Sequence, residues 1–209
     1  MTAADSLAIW LRVRRETDWR HAPALRRVPP SSDGFQAWCE GPVRRRDPVR
    51  AERLLAAHAV ARSDAARRAP LTFALLAGWQ REVLGVREVP FRVTDAHAKA
   101  GRERYGLTPR TQADFAACLR EATTAGLPLA ARAARVYLDV AFFHPFTDGN
   151  ARAALLTLVH VLAREDVVLS QVGPLQTTRY ADDPTGAADL ATLIGVLHHR
   201  GAGGSGDAP

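Results

Sequence analysis

Cysteine and lysine are nearly absent from this sequence. Two cysteines, Cys39 and Cys118, lie far apart in 209 residues. That excludes a disulfide-stapled scaffold and any zinc-ligand spacing, and predicts two reduced, buried, inert thiols. Lys99 is the single lysine, so almost all of the 28 basic residues are arginine. No lysine-rich tail exists to bind nucleic acid, and no basic-aromatic motif points to that partner. The arginines are scattered in pairs and triplets (Arg14-Arg15, Arg26-Arg27, Arg44 to Arg46, Arg67-Arg68). Despite the net charge of +6, that scatter reads as a solvated surface. No apolar run reaches the length of a membrane span. At the N-terminus the charges follow a short apolar patch instead of preceding it, which is not a signal-peptide pattern. A cytoplasmic protein is the expectation.

What is present is a soluble globular composition, 47% hydrophobic and 24% charged, with helical periodicity through most of the chain. Residues 5–15 form one candidate helix. A Pro/Ser-rich loop over 20–34 leads into a second, carrying Phe35 and Trp38 and stopping at Gly41-Pro42. Helices are predicted over 48–68, 70–83 and 111–125. Leu129, Ala133, Val136, Val140 and Phe143 mark an apolar stripe on a further helix. Leu155, Leu158, Val159 and Leu162 mark the next, and a last helix spans about 185–199. Only 86–109, with its alternation, glycines and prolines, resembles a β-hairpin. The fold class is therefore mostly α with one small hairpin, without internal repeats. The division is a helical extension over 1–69 packed on the core, a main domain over 70–199 and a disordered tail over 200–209.

Between the two buried helices lies "HPFTDGNARAA", His144 to Ala154. A helix connection needs a glycine and a cap, not this much polar chemistry. Gly149, Asn150 and Ala151 are placed to open the second helix, whose unpaired N–H groups and partial positive charge make an anion site. Arg152 in the first turn adds a guanidinium fork for phosphate oxygens. Asp148 is a hard oxygen ligand beside that site, suited to Mg²⁺ held largely by phosphate and water. A neutral His144 can take a proton from a hydroxyl. Phe146 would plug the loop into the core. Base, metal ligand and anion cradle together fit transfer of a phosphorus group from a nucleotide to a hydroxyl. Taken singly, His144 could be a helix cap, Asp148 and Asn150 turn or cap residues, and Arg152 a surface cation.

The stretch resembles the signature of the Fic/Doc family: His, any residue, Phe, any residue, Asp or Glu, Gly, Asn, Gly or Lys, Arg, and often a second Arg three positions on. His144, Phe146, Asp148, Gly149, Asn150 and Arg152 match in register. The resemblance implies a Fic-like helical bundle with a hairpin flap at 86–105, ahead of the motif. His144 would be the general base for a Ser, Thr or Tyr hydroxyl of a target protein, and Asp148 the Mg²⁺ ligand. Gly149, Asn150, Ala151 and Arg152 would bind the nucleotide phosphates. Family frequency puts AMP transfer from ATP first. Two departures matter. Ala151 stands where Gly or Lys is usual, and Leu155 replaces the second arginine. Doc-like members, which transfer the γ-phosphate, also carry an apolar residue there. A degenerate binding protein and a small-molecule hydroxyl acceptor are the remaining alternatives. Glu40, upstream in "QAWCEG", stands where an inhibitory glutamate could lie, although Gln36 occupies its Ser/Thr position. Arg92 and Lys99 on the flap are weaker contact candidates, otherwise solvated charges.

Overall fold

The computed structural model describes residues 4–26 and 32–202 of the chain. Nine α-helices and one two-stranded sheet are formed among them. Their order is α1 (Ser6–Glu16), α2 (Gly34–Trp38), α3 (Arg44–Arg46), α4 (Pro48–Ala66), α5 (Phe73–Leu84), β1 (Ala96–Ala98), β2 (Glu103–Tyr105), α6 (Thr111–Ala122), α7 (Leu129–Phe143), α8 (Asn150–Ala163) and α9 (Pro184–Ala202). The mostly α class and the hairpin flap are as read from sequence. Residues 203–209 of the expected tail lie outside the described residues, and α9 runs through the first three of its positions. None of the described helices is long and apolar enough to cross a membrane.

The centre is the α7–α8 pair. A surface helix buries one stripe, whereas α7 is buried on all sides, from Ala130 to Phe143. Helices α6 and α9 flank α7, and α4 and α5 pack on α8. Alanine at 130, 131, 133, 134, 153 and 154 lets neighbouring backbones come close. Within α7 the fully buried Asp139 accepts from Arg14 (Nε–Oδ1 2.7 Å, Nη2–Oδ2 3.1 Å) and from the Trp10 indole (3.0 Å). This bidentate, doubly satisfied charge holds α1 on the central helix. Gly34 lies against the chain that follows α8: its N–H donates to Leu169 O at 2.8 Å, and a Cβ there would sit 2.4 Å from Gln171 N.

Three of the predicted boundaries that move do so for a visible local reason. Gly41-Pro42 does not stop the second helix. A π turn over Cys39–Val43 carries the chain through Pro42 into α3, because the wider turn absorbs the amide that proline lacks. α6 ends at Ala122 instead of 125. The Thr123 and Thr124 hydroxyls bond Arg120 O and compete with the helix. α5 starts at Phe73, where the Thr72 hydroxyl accepts from Leu75 N–H. Both thiols are buried and free, as expected. Burial pushes the Cys39 thiol up to about 12, so it is inert at neutral pH.

Candidate active site

His144 ends α7 in the left-handed conformation, φ +50°. Its Nδ1 lies 3.1 Å from Ala141 O. A carbonyl only accepts, so Nδ1 carries the ring proton and Nε2 is left with a free lone pair. Burial lowers the His144 pKa below the usual imidazole value, and the charges of Arg92 and Lys99 lower it further against the Ala141 carbonyl. The ring is thus a neutral base near physiological pH. Tyr105 of β2 stacks on it, 5.1 Å between centroids and 24° between planes.

Arg92 sets where that histidine sits. The sequence reading made it a contact residue or a solvated flap charge, and the structure corrects both. Arg92 is 3% exposed and spends its guanidinium on the carbonyls of Phe143 (3.2 Å), Thr94 (2.6 Å) and Gly106 (3.0 Å). Its own N–H donates to Pro145 O at 2.9 Å. The residues on either side of His144 are therefore tied to the base of the flap. Lys99 is not solvated either: it pairs with the buried Glu103 and lies 4.8 Å from the Phe142 ring centroid. Glu103 also accepts from the Tyr105 hydroxyl and from Ala181 N–H (2.9 Å). Burial opposes ionisation of Glu103, but the bonds from Lys99, Tyr105 and Ala181 outweigh it and hold its pKa low.

The loop after His144 is fixed from inside. Phe146 is fully buried and stacks on Phe73 at 5.5 Å. The Asn150 amide bonds both ends of the Phe146 peptide, accepting from its N–H (3.0 Å) and donating to its carbonyl (2.8 Å). With its side chain so used, Asn150 offers a ligand its backbone. Gly149 is the N-cap of α8 at φ +78°. A Cβ there would meet Gln80 Nε2 at 2.3 Å, so only glycine fits. Gln80, fully buried on α5, donates to Asp148 O at 2.7 Å. Asp148 is 74% exposed. It accepts from Gly149 N–H at 2.6 Å and pairs with Arg152 at 3.0 Å. Among the described residues no cluster of three or more His, Cys, Asp or Glu can hold a metal by itself. One exposed carboxylate at a helix N-terminus fits a Mg²⁺ ion whose other ligands are phosphate oxygens and water.

A cleft of about 270 Å³ joins these parts. His144, Asn150 and Ala151 line it together with Lys99, Tyr105 and Arg179. Asp148 and Arg152 belong to the same helix terminus but do not line this cleft. Gln80, Tyr105 and Arg179 escaped the sequence reading. Gln80 carried a signal, because a polar residue interrupts the buried positions 76, 79, 80 and 83 of α5. Arg179 carried none. Glu40 bonds Gln36 at 2.9 Å and lines a separate cleft with Asp33, His58 and Arg62 that holds no motif residue. Leu155 is buried in the core, 1% exposed.

Residues 70–162 match the model of the Fic/DOC family. Curated proteins give no match. Solved structures of similar fold include IbpAFic2 covalently tethered to Cdc42 (12% identity, TM-score 0.56, 91% of this chain and 70% of that one). A Fic-domain-containing signalling protein from Bacteroides thetaiotaomicron is also similar (15% identity, TM-score 0.50, 96% and 85% covered). So is Fic-1 from C. elegans (16% identity, TM-score 0.50, 94% and 68% covered). At such identities the likeness speaks for the fold, while the family model speaks for the segment that holds the motif. The chain is therefore similar to the Fic/DOC family over residues 70–162 and shares the helical fold of solved Fic structures.

Proposed function

We propose that this protein is a Fic-type transferase that moves AMP, or another nucleotide-derived phosphate group, from a nucleotide to a hydroxyl side chain of a target protein. One observation carries the reading: a neutral imidazole with a free Nε2 shares a cleft with the first turn of α8. The acceptor hydroxyl gives its proton to His144 Nε2 as its oxygen bonds phosphorus. The bond from phosphorus to the leaving phosphate breaks, and the departing oxygen takes the electron pair. The N–H groups of Asn150 and Ala151 and the Arg152 guanidinium stabilise the charge on the phosphate oxygens. Asp148 would hold Mg²⁺, turning from Arg152 to do so. Bound there, Mg²⁺ neutralises phosphate charge. Gln80 and Gly149 keep the helix terminus in place, and Arg92 keeps the base in place.

A protein acceptor is supported by the flap and by a relative of the same fold that is tethered to Cdc42. The outer side of β2 is bridged by Asp5 through Arg104. Among the described residues β1 has no second strand partner, so an extended target segment would add along β1. The second reading, γ-phosphate transfer of the Doc kind, is favoured by Leu155, which leaves the core side of α8 without a cation. A catalytically silent binding protein is the third.

Paired labelling separates them. Wild type and His144→Ala are incubated with Mg²⁺, cell lysate and ATP labelled on the α or the γ phosphate. A protein band carrying α label and lost in the variant supports AMP transfer. A band carrying γ label alone supports phosphotransfer. No His144-dependent band with either label, in a variant of unchanged thermal unfolding, removes protein modification from ATP as the function.

A further inference from the structure

A second pocket, of about 280 Å³, opens on the other side of the first turn of α8. Asn150 and Ala151 line the His144 cleft, Arg152 lines this pocket, and Gln176 lines both. A ligand gripped by the helix terminus can therefore reach either. The far wall comes from outside the family-matched segment. Trp38, Pro42, Val43 and Leu54 give it an apolar floor, and Arg46 and Arg50 give it charge.

The lining charge is unbalanced, although Arg152 also pairs with Asp148, which does not line the pocket. Three guanidinium groups, Arg46, Arg50 and Arg152, surround a single lining carboxylate, Asp47. Asp47 is already used: one oxygen caps α4 by accepting Arg50 N–H at 2.9 Å, and the other lies 3.3 Å from Arg50 Nε. Arg46 forms no ion pair among the described residues. Arginines so gathered repel one another unless an anion joins them. The backbone is also unusual here. The π turn over Cys39–Val43, with Pro42 inside it, carries the chain from Trp38 round to Arg46, so that both line one pocket. Insertions of this kind recur at functional sites.

We infer that Arg46 and Arg50 of the N-terminal helices, with Arg152, form a subsite for the outer phosphates of a nucleoside polyphosphate donor. The inference rests on the nucleotide reading above and deepens it. The extension then supplies part of the donor site from α3 and α4, and the cation that Leu155 denies to α8 comes from a different element.

Equilibrium binding tests this, with Mg²⁺ and either ATP or AMP. The proteins are the full chain, Arg46→Ala/Arg50→Ala, and the control Arg44→Ala/Arg45→Ala, which removes equal charge from residues that do not line the pocket. The expected result is a loss of ATP affinity of about tenfold or more in the first variant, with AMP within about twofold and the control unchanged. Unchanged ATP binding, an equal loss in the control, or an equal loss for AMP would overturn it. Thermal unfolding shows whether the exposed substitutions leave the fold intact. Should the full chain bind no nucleotide, the functional reading fails and inorganic tripolyphosphate decides the pocket. Binding that depends on Arg46 and Arg50 supports an anion subsite, and its absence overturns one.

Discussion

His144 holds two conflicting conditions at once. A non-glycine residue at φ +50° costs on the order of 1–3 kcal/mol, and a buried imidazole resists protonation. Arg92 meets the first condition by bonding carbonyls beside it, and the Ala141 carbonyl turns the second into a base with Nε2 free. The sign of the pH dependence follows. Only the neutral ring accepts a proton, and its pKa lies below the ordinary 6.5. Hence kcat/KM for transfer should already be level at pH 7. It should fall as acid takes the pH through a value below 6.5, the ordinary value. A rate profile over pH 5–8 (~0.5 steps) checks this, and an acid limb centred above the ordinary imidazole value would mean that burial does not set the base. At this scale the motif was legible because its residues are local in sequence. Tyr105 and Arg92 were not, since stacking on His144 and bonding to Phe143 O join positions dozens of residues apart.

At the scale of elements, the proposed anion site lies at the start of α8, and its geometry depends on one missing Cβ. Gly149→Ala forces alanine into the left-handed region and against Gln80 Nε2. It should destabilise the loop by about 1–3 kcal/mol and lower transfer more than Ala153→Gly, which loosens the same helix but keeps the backbone N–H at 153 that bonds Gly149 O. Chemical denaturation and initial rates measure both. Wild-type rates in Gly149→Ala would remove the helix terminus from the anion site. Helix existence was readable from periodicity for every helix but the short α3. Helix ends were not, because a π turn absorbs the amide that Pro42 lacks and the Thr124 hydroxyl competes for a helix carbonyl, and only the folded backbone reveals either. The small hairpin expected within 86–105 is formed by strands of three residues each, Ala96–Ala98 and Glu103–Tyr105.

For the molecule as a whole, stability and the proposed function meet on α7. Its outer end carries His144, and its middle carries Asp139, fully buried and met by Arg14 and Trp10 of α1. Arg14→Ala strips the guanidinium from a desolvated carboxylate and should cost about 3–5 kcal/mol. Urea unfolding checks it, and a loss below about 1 kcal/mol would show that α1 is held by apolar packing alone. Composition, periodicity and one short motif determined the helical class, the flap's position and the group of residues around His144, because each depends on neighbours in sequence. Tertiary structure decided where the first helices sit. It placed Arg14 under α7, and Arg46 and Arg50 beside Arg152. No spacing in a sequence specifies such pairings, since burial and close charge arise only when distant helices pack against one core.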